Sequence, residues 1–168
     1  MLLRRLSLAF LVGAVAVAPL RAAEPPSPLV IAGPANAAAK ISMAELAQLP
    51  MVQVTVSFLT ERGTRAASFE GPLLWSVLEK AGVLDPAKHG QQVTQTIVIE
   101  GRDGYRAVLA LAEIAPEFEG KQVILAERMD GKPLDPDHLR IVVPLEKRGG
   151  RSVRDVTRIE VTAPAASR

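Results

Sequence analysis

A run of alternating apolar and polar residues predicts a half-buried strand over residues 52–58. Every second residue from Val52 to Phe58 is apolar, and the residues between them are polar. A period of two places the two sets on opposite faces of a strand. The turn at 60–63 and the run at 64–69 predict that the chain returns as the second strand of a hairpin.

Five further short runs rich in Ile, Val and Leu predict additional strands. Turns that contain Gly and Asp, such as Asp103-Gly104, separate several of them. A single helical turn is predicted at 112–115, because Pro116 stops it. The additional strands are predicted at residues 94–100, 105–111, 123–127, 139–143 and 156–162.

Two helices are predicted from the residues that begin and end them. Ser42 and Glu45 have the spacing of a capping box, and the helix that they open ends before Pro50. Pro72 suits the first position of a second helix. Gly82 is placed to end that helix in the left-handed conformation.

Together these elements predict an α+β domain that is mostly β, with mixed or antiparallel sheets and two or three short helices. A chain of 168 residues is long enough for one such domain, which we assign to residues 41–162. The Pro- and Ala-rich segment 24–40 is interpreted as an extended lead-in. Residues 163–168 are interpreted as a polar tail.

Residues 1–23 are typical of a secretory signal peptide. Two arginines precede an apolar run at residues 6–20, and the small residues Ala22 and Ala23 follow it. An apolar run of about 15 residues is shorter than the roughly 20 that span a bilayer as a helix. We therefore expect export to the periplasm, and no membrane span once the signal is cleaved.

The net charge of the chain changes once this signal is set aside. The whole sequence has 20 basic and 18 acidic residues, a formal charge of +2. Cleavage would remove three arginines and no acidic residue, which leaves a formal charge of about −1. A balance so close to neutral argues against a protein that binds nucleic acid.

Cysteine is absent from the 168 residues. Its absence excludes a disulfide framework, a thiolate nucleophile and cysteine ligation of a metal by this chain. Asp130, Asp135, Asp137 and His138 are close enough in sequence to suggest a divalent cation site. Two intervening prolines, and a spacing unlike that of an EF-hand, favour a turn instead, and we predict no metal site.

The segment 147–151, Lys-Arg-Gly-Gly-Arg, is the strongest candidate binding site. Its glycines free the backbone to present N–H groups, and its basic side chains supply forked donors for phosphate or carboxylate. The alternative is a solvated basic loop without a ligand. Asp103 and Tyr105 belong to another turn. The Tyr105 hydroxyl either binds a ligand, or lies at the protein surface while the ring of the same residue packs against the domain.

The order of these segments resembles the molybdopterin-binding domain of the sulfite oxidase family, especially its short exported members. The resemblance extends over residues 42–161. It rests on five colinear motifs: the helix segment 69–82 (FEGPLLWSVLEKAG), the Asp-Gly-Tyr turn within 99–105, the Asp-Gly-Lys-Pro-Leu turn at 130–134, the strand 139–144 (LRIVVP) and the Gly-Arg-Ser-Val-Arg segment at 150–154.

The resemblance implies a fold and a binding site. In the family the last motif lines the pterin and its phosphate. Arg151, Ser152 and Arg154 hold the matching positions here, and Arg140 matches the basic residue of the preceding strand. Family oxidoreductases ligate molybdenum through a cysteine in the loop that corresponds to residues 57–63, where this chain has none.

We therefore predict a periplasmic molybdopterin-domain-like protein that lacks the cysteine ligand and binds a small anionic ligand or a redox partner protein. A molybdopterin-dependent oxidoreductase, or its accessory subunit, is the alternative, and a structural or assembly role is a third. No resident cofactor is expected under the first hypothesis, whereas molybdopterin is the cofactor under the second. No catalytic residue is assigned. The predicted ligand-binding residues are Asp103, Tyr105, Arg140, Lys147, Arg148, Gly149, Gly150, Arg151, Ser152 and Arg154.

Overall fold

The computed structural model of this protein describes most of the chain. The described residues are 28–34, 38–61, 63–84, 89–135 and 138–163. The predicted signal peptide at 1–23 and the tail residues 164–168 lie outside them.

Strands dominate the described residues, as expected for an α+β domain that is mostly β. The strands are β1 (Leu29–Ala32), β2 (Ala38–Ile41), β3 (Met51–Thr60), β4 (Gly63–Pro72), β5 (Thr96–Gly101), β6 (Arg106–Ala110), β7 (Ile124–Ala126), β8 (Arg128–Met129), β9 (Lys132–Pro133), β10 (Arg140–Val142) and β11 (Val156–Thr162). The helices are short: α1 (Met43–Leu46), α2 (Leu74–Lys80), α3 (His89–Gln92), α4 (Leu111–Ile114) and a 3-10 turn at Gly149–Arg151.

The largest sheet contains five strands in the order β2-β1-β11-β5-β6. β1 runs parallel to β11, and the other neighbours are antiparallel, so the sheet is mixed as predicted. Ile31, Ile97 and Ile159 of this sheet are fully buried and form one core with Leu74 and Leu78 of α2. Burial of this aliphatic surface is the main force that holds the sheet and the helix together.

The second sheet is built on the long hairpin that the alternating pattern predicts. Its strand order is β3-β4-β8-β9, and β3 and β4 pair along their full lengths. Val54, Val56 and Phe69 form a second core with the two-stranded ribbon of β7 and β10. Gly71 permits β4 to pass close to β7, because a Cβ at this position would lie 2.1 Å from the carbonyl oxygen of Leu125.

The residues that begin and end the helices behave as predicted, with one exception. Ser42 and Glu45 form the capping box of α1, and Gly82 follows α2 with a φ of +68°. The prediction for Pro72 is wrong. This residue ends β4, because the ladder to β3 extends that far, and α2 begins at Leu74.

The segment 24–40, interpreted from its composition as a lead-in outside the domain, supplies strands of the largest sheet. β1 lies between β11 and β2, and its residues Leu29 and Ile31 are buried. A four-residue strand is too short to reveal its period, and its parallel partner β11 lies near the other end of the chain. The folded domain therefore begins at or before Leu29, and not at residue 41.

Candidate functional site

A cleft of about 260 Å³ opens where the hairpin meets β10 and the segment after the 3-10 turn. Strand alternation explains its hairpin wall, because Arg65, Ala67 and Phe69 share one face of β4. Phe58 of β3 lies opposite Arg65. The residues that line the cleft are Phe58, Arg65, Ala66, Ala67, Phe69, Met129, Asp130, Arg140 and Arg154.

Arg140 is the most enclosed of the three arginines in the cleft. It begins β10, and its guanidinium carbon lies 5.1 Å from the centre of the Phe69 ring, within cation–π range. Its Nε atom is buried and has no hydrogen-bond partner among the described residues. Burial, and then the nearby charge of Arg154, lower the pKa of Arg140. Arg140 is therefore a partly buried cation whose charge is not compensated by an ion pair with a carboxylate in the described part of the chain.

Arg65 and Arg154 are exposed at the rim of this cleft. Within the described ranges, neither of them forms an ion pair with an acidic side chain, and Arg140 does not either. Asp130 contributes a carboxylate to the lining, and its Oδ1 accepts a 2.9 Å hydrogen bond from the Ser68 N–H. The cleft thus brings together three guanidinium groups and one carboxylate.

The side chains of the cleft suit a small anion. Guanidinium groups present forked N–H donors that match the oxygen atoms of phosphate or carboxylate. An anion between Arg140 and Arg154 would offset the repulsion between their charges. Part of the cleft wall is apolar and consists of Phe58, Phe69 and Met129. An apolar wall reduces the access of water and so strengthens charge-assisted hydrogen bonds to a ligand.

Arg151, which the sequence predicts in the same site, has carboxylate partners and does not line the cleft. Its Nε donates to Glu146 Oε1 over 2.6 Å, and its Nη1 donates to Glu113 Oε1 over 3.0 Å. The hydrogen bond to Glu113 is the largest of the effects that raise the pKa of Arg151. Arg151 therefore ties the glycine loop to α4.

Glu113 is the centre of this ion-pair group. Lys121 also contacts it, with Nζ 3.1 Å from Oε2. Burial acts to raise the pKa of Glu113, but hydrogen bonds from Arg151, the Ala110 N–H and Lys121 outweigh burial and lower it. Glu113 is therefore ionised in neutral solution, where it neutralises the cations around it.

The rest of the predicted glycine loop forms a compact turn. Gly149–Arg151 is one turn of 3-10 helix, and the Ser152 N–H donates to the Gly149 carbonyl over 3.1 Å. Ser152 is buried, and its hydroxyl accepts a backbone N–H over 3.3 Å. Lys147 and Arg148 are exposed and do not line the cleft.

Asp103 and Tyr105 support the loop and do not line the cleft. Gly104 has a φ of +80°, and Asp103 Oδ1 accepts the Tyr105 N–H over 2.9 Å, so the predicted tight turn is confirmed. The Tyr105 hydroxyl donates to the Gly150 carbonyl over 2.7 Å. The structure thus joins two of the predicted segments to each other, while Arg140 and Arg154 lie in the cleft.

Of the residues that line the cleft, the sequence prediction named Arg140 and Arg154 and missed the rest, among which Arg65 is the one cation. A signal was present, because the alternation that buries Val54 and Val56 continues in the return strand, where Arg65 shares a face with Phe69. Because Arg65 is exposed, this placement alone does not distinguish a site residue from an ordinary surface arginine. That Arg140 also reaches this face depends on long-range packing, which strand periodicity does not report.

The start of the Asp-rich segment forms the predicted turn at Asp130-Gly131. Asp130 and Gly131 have φ values of +50° and +75° between β8 and β9, and Asp137 lies outside the described residues. His138 contacts Asp155, with Nδ1 2.5 Å from Oδ1. Within the part of the chain that the structure describes, no group of three or more His, Asp or Glu residues is placed to hold a metal ion.

Comparison with known proteins gives a family and a structural neighbour. The family model described as "Oxidoreductase molybdopterin binding domain" matches residues 27–167. The fold is similar to that of the sulfane dehydrogenase SoxCD from Paracoccus pantotrophus, with a TM-score of 0.65 at 19% sequence identity. That match covers 83% of this chain and 39% of the other, so this chain spans well under half of that neighbour. The comparison with curated proteins found no match.

These comparisons confirm the predicted sulfite-oxidase-like molybdopterin-domain fold. Of the helices in the described ranges, none has the length and apolar character of a membrane span.

Molybdopterin is the cofactor that this family implies, and the cleft matches only part of it. Guanidinium groups suit its phosphate. The cleft volume of about 260 Å³ is close to the lower end of the roughly 300–1,000 Å³ range of small-molecule and cofactor sites. The sequence also offers molybdenum no cysteine thiolate. The cleft therefore offers donors for an oxyanion or for the phosphate of the cofactor, whereas this chain offers the metal no thiolate ligand.

Proposed function

We propose that this chain, which belongs to the oxidoreductase molybdopterin binding domain family, acts as a periplasmic module that binds a small anionic ligand. The observation that carries the proposal is the cleft where Arg65, Arg140 and Arg154 meet without an acidic ion-pair partner among the described residues. The ligand is an oxyanion, or a small molecule that presents a phosphate or carboxylate group.

Each arginine has its own part in this proposal. Arg140 supplies the enclosed charge, which is worth most because water screens it least. Arg154 places a second cation beside Arg140, and Arg65 adds a third from the hairpin wall. Asp130 would accept an N–H or O–H of the ligand, which favours a partly protonated anion over a fully ionised one.

The periplasmic location is supported by the basic start, the apolar run at 6–20 and the small residues that follow it. Fractionation of the native cells tests it. We expect the protein in the periplasmic fraction, with a mass that has lost about the first 23 residues. Full-length protein in the cytoplasm would contradict the location and leave the anion site to be tested separately.

Calorimetric titration of the purified mature protein with inorganic phosphate, and then with molybdate, tests the ligand. We expect saturable binding, and at ten times Kd an increase in Tm of roughly 4 °C. Arg154→Gln should weaken binding at least tenfold, whereas Arg148→Gln, a matched loss of one exposed charge outside the cleft, should not. Absence of saturable binding, or equal effects of the two variants, would refute the small-anion site.

A redox partner protein with an acidic surface is the other form of this proposal. Such a partner would bind more weakly as salt is added, because the contact is between opposite charges at the surface. In this case the wild-type protein would bind the partner but would not bind phosphate. This combination of results would assign the cleft to a protein partner.

An oxidoreductase, or an accessory subunit of one, is the second candidate, and the family match over residues 27–167 is the observation that favours it. Because this chain supplies no thiolate, a partner subunit would have to complete the metal site. Elemental analysis of protein purified from native periplasm tests this candidate. About one molybdenum or tungsten atom per chain would support it, and a metal content at background would reject it.

A further inference from the structure

In the part of the chain that the structure describes, the outer side of β3 is an open sheet edge over most of its length. Among the strands that the structure describes, β3 stands at one end of its sheet and β4 is the strand that pairs with it. Over its ten residues, Met51–Thr60, it contains no charged residue and no proline. Proteins commonly place such residues on edge strands to prevent the addition of another strand.

The other outer strands of the two larger sheets have this protection. β2, β6 and β9 each carry a basic residue, namely Lys40, Arg106 and Lys132. β2 and β9 are also short, with four and two residues. β3 differs from all three in being both long and uncharged, which makes it the edge most suited to pair with another strand.

Hydrogen bonds on β4 identify which groups of β3 face the open side. The carbonyls of Ser68 and Glu70 accept hydrogen bonds on the side of β4 that faces away from β3. The main-chain groups of successive residues in an antiparallel strand point to opposite sides of that strand. The main-chain N–H and C=O of Phe69 therefore face β3, where Val54 is their partner. By the same alternation, the main-chain groups that face outward from β3 are those of Gln53, Thr55 and Ser57.

Leu59 supports this assignment and marks one end of the open edge. Its N–H also faces outward by the alternation, and it donates to the Lys147 carbonyl over 2.9 Å. The N–H groups of Gln53, Thr55 and Ser57 have no main-chain partner in the described parts of the chain. Their side chains are exposed. The open edge therefore lies over residues 53–57 and stops where Lys147 covers Leu59.

We propose that this edge pairs with β3 of a second copy of the chain, antiparallel and about a two-fold axis at Thr55. Residues 52–58 read V-Q-V-T-V-S-F, which is nearly the same pattern in both directions. With Thr55 opposite the same residue of the second copy, Gln53 faces Ser57 and valine faces valine. Polar pairs of this kind stabilise sheets, and no like charges meet. This self-complementarity favours a second copy over a charged partner strand.

The contact is small, and this limits its strength. Three hydrogen-bonded residue pairs form in this register, with about six main-chain hydrogen bonds. Val54 and Val56 are already buried, so pairing removes little further apolar surface from water. Stable interfaces bury about 1,200 Å² or more, so we expect a weak dimer whose population rises with protein concentration.

Cysteine substitution tests the axis, because the natural sequence contains no cysteine. In a hydrogen-bonded antiparallel pair the Cα atoms lie about 5.5 Å apart, which a disulfide can span. Under mild oxidation Thr55→Cys should form covalent dimers at least tenfold faster than Thr64→Cys, an exposed position on the same face of the hairpin. Equal rates for the two variants would overturn the proposal.

Amide exchange followed by NMR tests the pairing in wild-type protein. Amides of Gln53, Thr55 and Ser57 should gain at least tenfold protection between micromolar and millimolar protein, while those of Val54 and Val56 stay protected throughout. Thr55→Lys should abolish the gain by placing like charges at the axis, whereas Thr64→Lys should retain it. Exchange that does not depend on concentration would overturn the proposal. If the three outward amides are protected at every concentration, the chain covers its own edge, which would overturn it as well.

Discussion

Arg151 and Arg154 lie three residues apart and have opposite surroundings. Arg151 is held between Glu146 and Glu113, with hydrogen bonds of 2.6 and 3.0 Å. Arg154 lines the cleft beside Arg140 and has no acidic ion-pair partner in the described ranges. The difference teaches that a basic segment does not by itself define an anion site. The carboxylates that other elements bring to each arginine decide whether it stabilises the fold or remains available to a ligand.

The same contrast extends to burial. Arg151 is partly buried and fully compensated, so its burial is consistent with a structural role. Arg140 is partly buried against Phe69 without such compensation, and its pKa is lowered. An uncompensated buried charge opposes folding, so a ligand is the simplest physical reason for its presence. Substitution of each arginine separates these two roles.

Replacement of Arg140 should have the largest effect on binding. Arg140→Met keeps an unbranched apolar side chain near Phe69 and removes the guanidinium charge that lies over its ring. We expect phosphate affinity to fall by about 30-fold, or about 2 kcal/mol, and the free energy of unfolding to stay the same or rise. Calorimetric titration and urea denaturation measure the two quantities. Unchanged affinity together with a loss of stability would assign Arg140 to the structure instead.

Arg151→Gln should show the reverse behaviour. It removes the charge that Glu113 and Glu146 share, and both carboxylates are about four-fifths buried. We expect the free energy of unfolding to fall by about 1–2 kcal/mol, after allowance for partial solvent screening of the guanidinium. Phosphate affinity should change by less than about twofold, since Arg151 is outside the cleft. A tenfold loss of affinity would place Arg151 in the binding site after all.

Acid should weaken the fold through Glu113. Its folded-state pKa lies below the ordinary value of 4.5, so the unfolded chain binds its proton more readily. The stabilisation is complete above about pH 4.5 and is lost as the pH falls through the folded-state pKa. Urea midpoints at pH 6 and pH 3.5 should therefore differ less in Arg151→Gln than in the wild type. An identical pH response of the two proteins would remove Glu113 from the explanation.

Arg148→Gln should have the smallest effect of the series. Arg148 is exposed and does not line the cleft, although it belongs to the segment that the sequence favours as the binding site. We expect changes within about 0.5 kcal/mol in unfolding free energy and within about twofold in phosphate affinity. A large loss of affinity in this variant would return the site to the glycine loop and contradict the comparison above.

Local sequence signals predicted most of the individual elements. The alternation at 52–58 predicted β3, the Ser42–Glu45 spacing predicted the cap of α1, and Gly82 marked the end of α2. These signals depend on interactions between residues close in the chain. β1 was missed because its partner β11 lies more than a hundred residues away, and four residues do not display a period.

The cleft was predicted only in part for a related reason. The family resemblance led to Arg140 and Arg154, which both line it. It also led to Arg151, whose partner Glu113 lies 38 residues away and could not be assigned from the pattern of the loop. Arg65 was missed because its importance depends on β10 packing against the hairpin. The sequence shows where the charged residues are, but which of them form ion pairs depends on the tertiary structure.

The most direct test of the cleft is an NMR titration of the arginine side-chain N–H signals with inorganic phosphate. The proposed anion site predicts saturable shifts of the Nε–H signals of Arg65, Arg140 and Arg154 with one shared Kd, while the Arg151 signal stays in place. Saturable shifts confined to Arg148 and Arg151, or no saturable shift at any arginine, would contradict it.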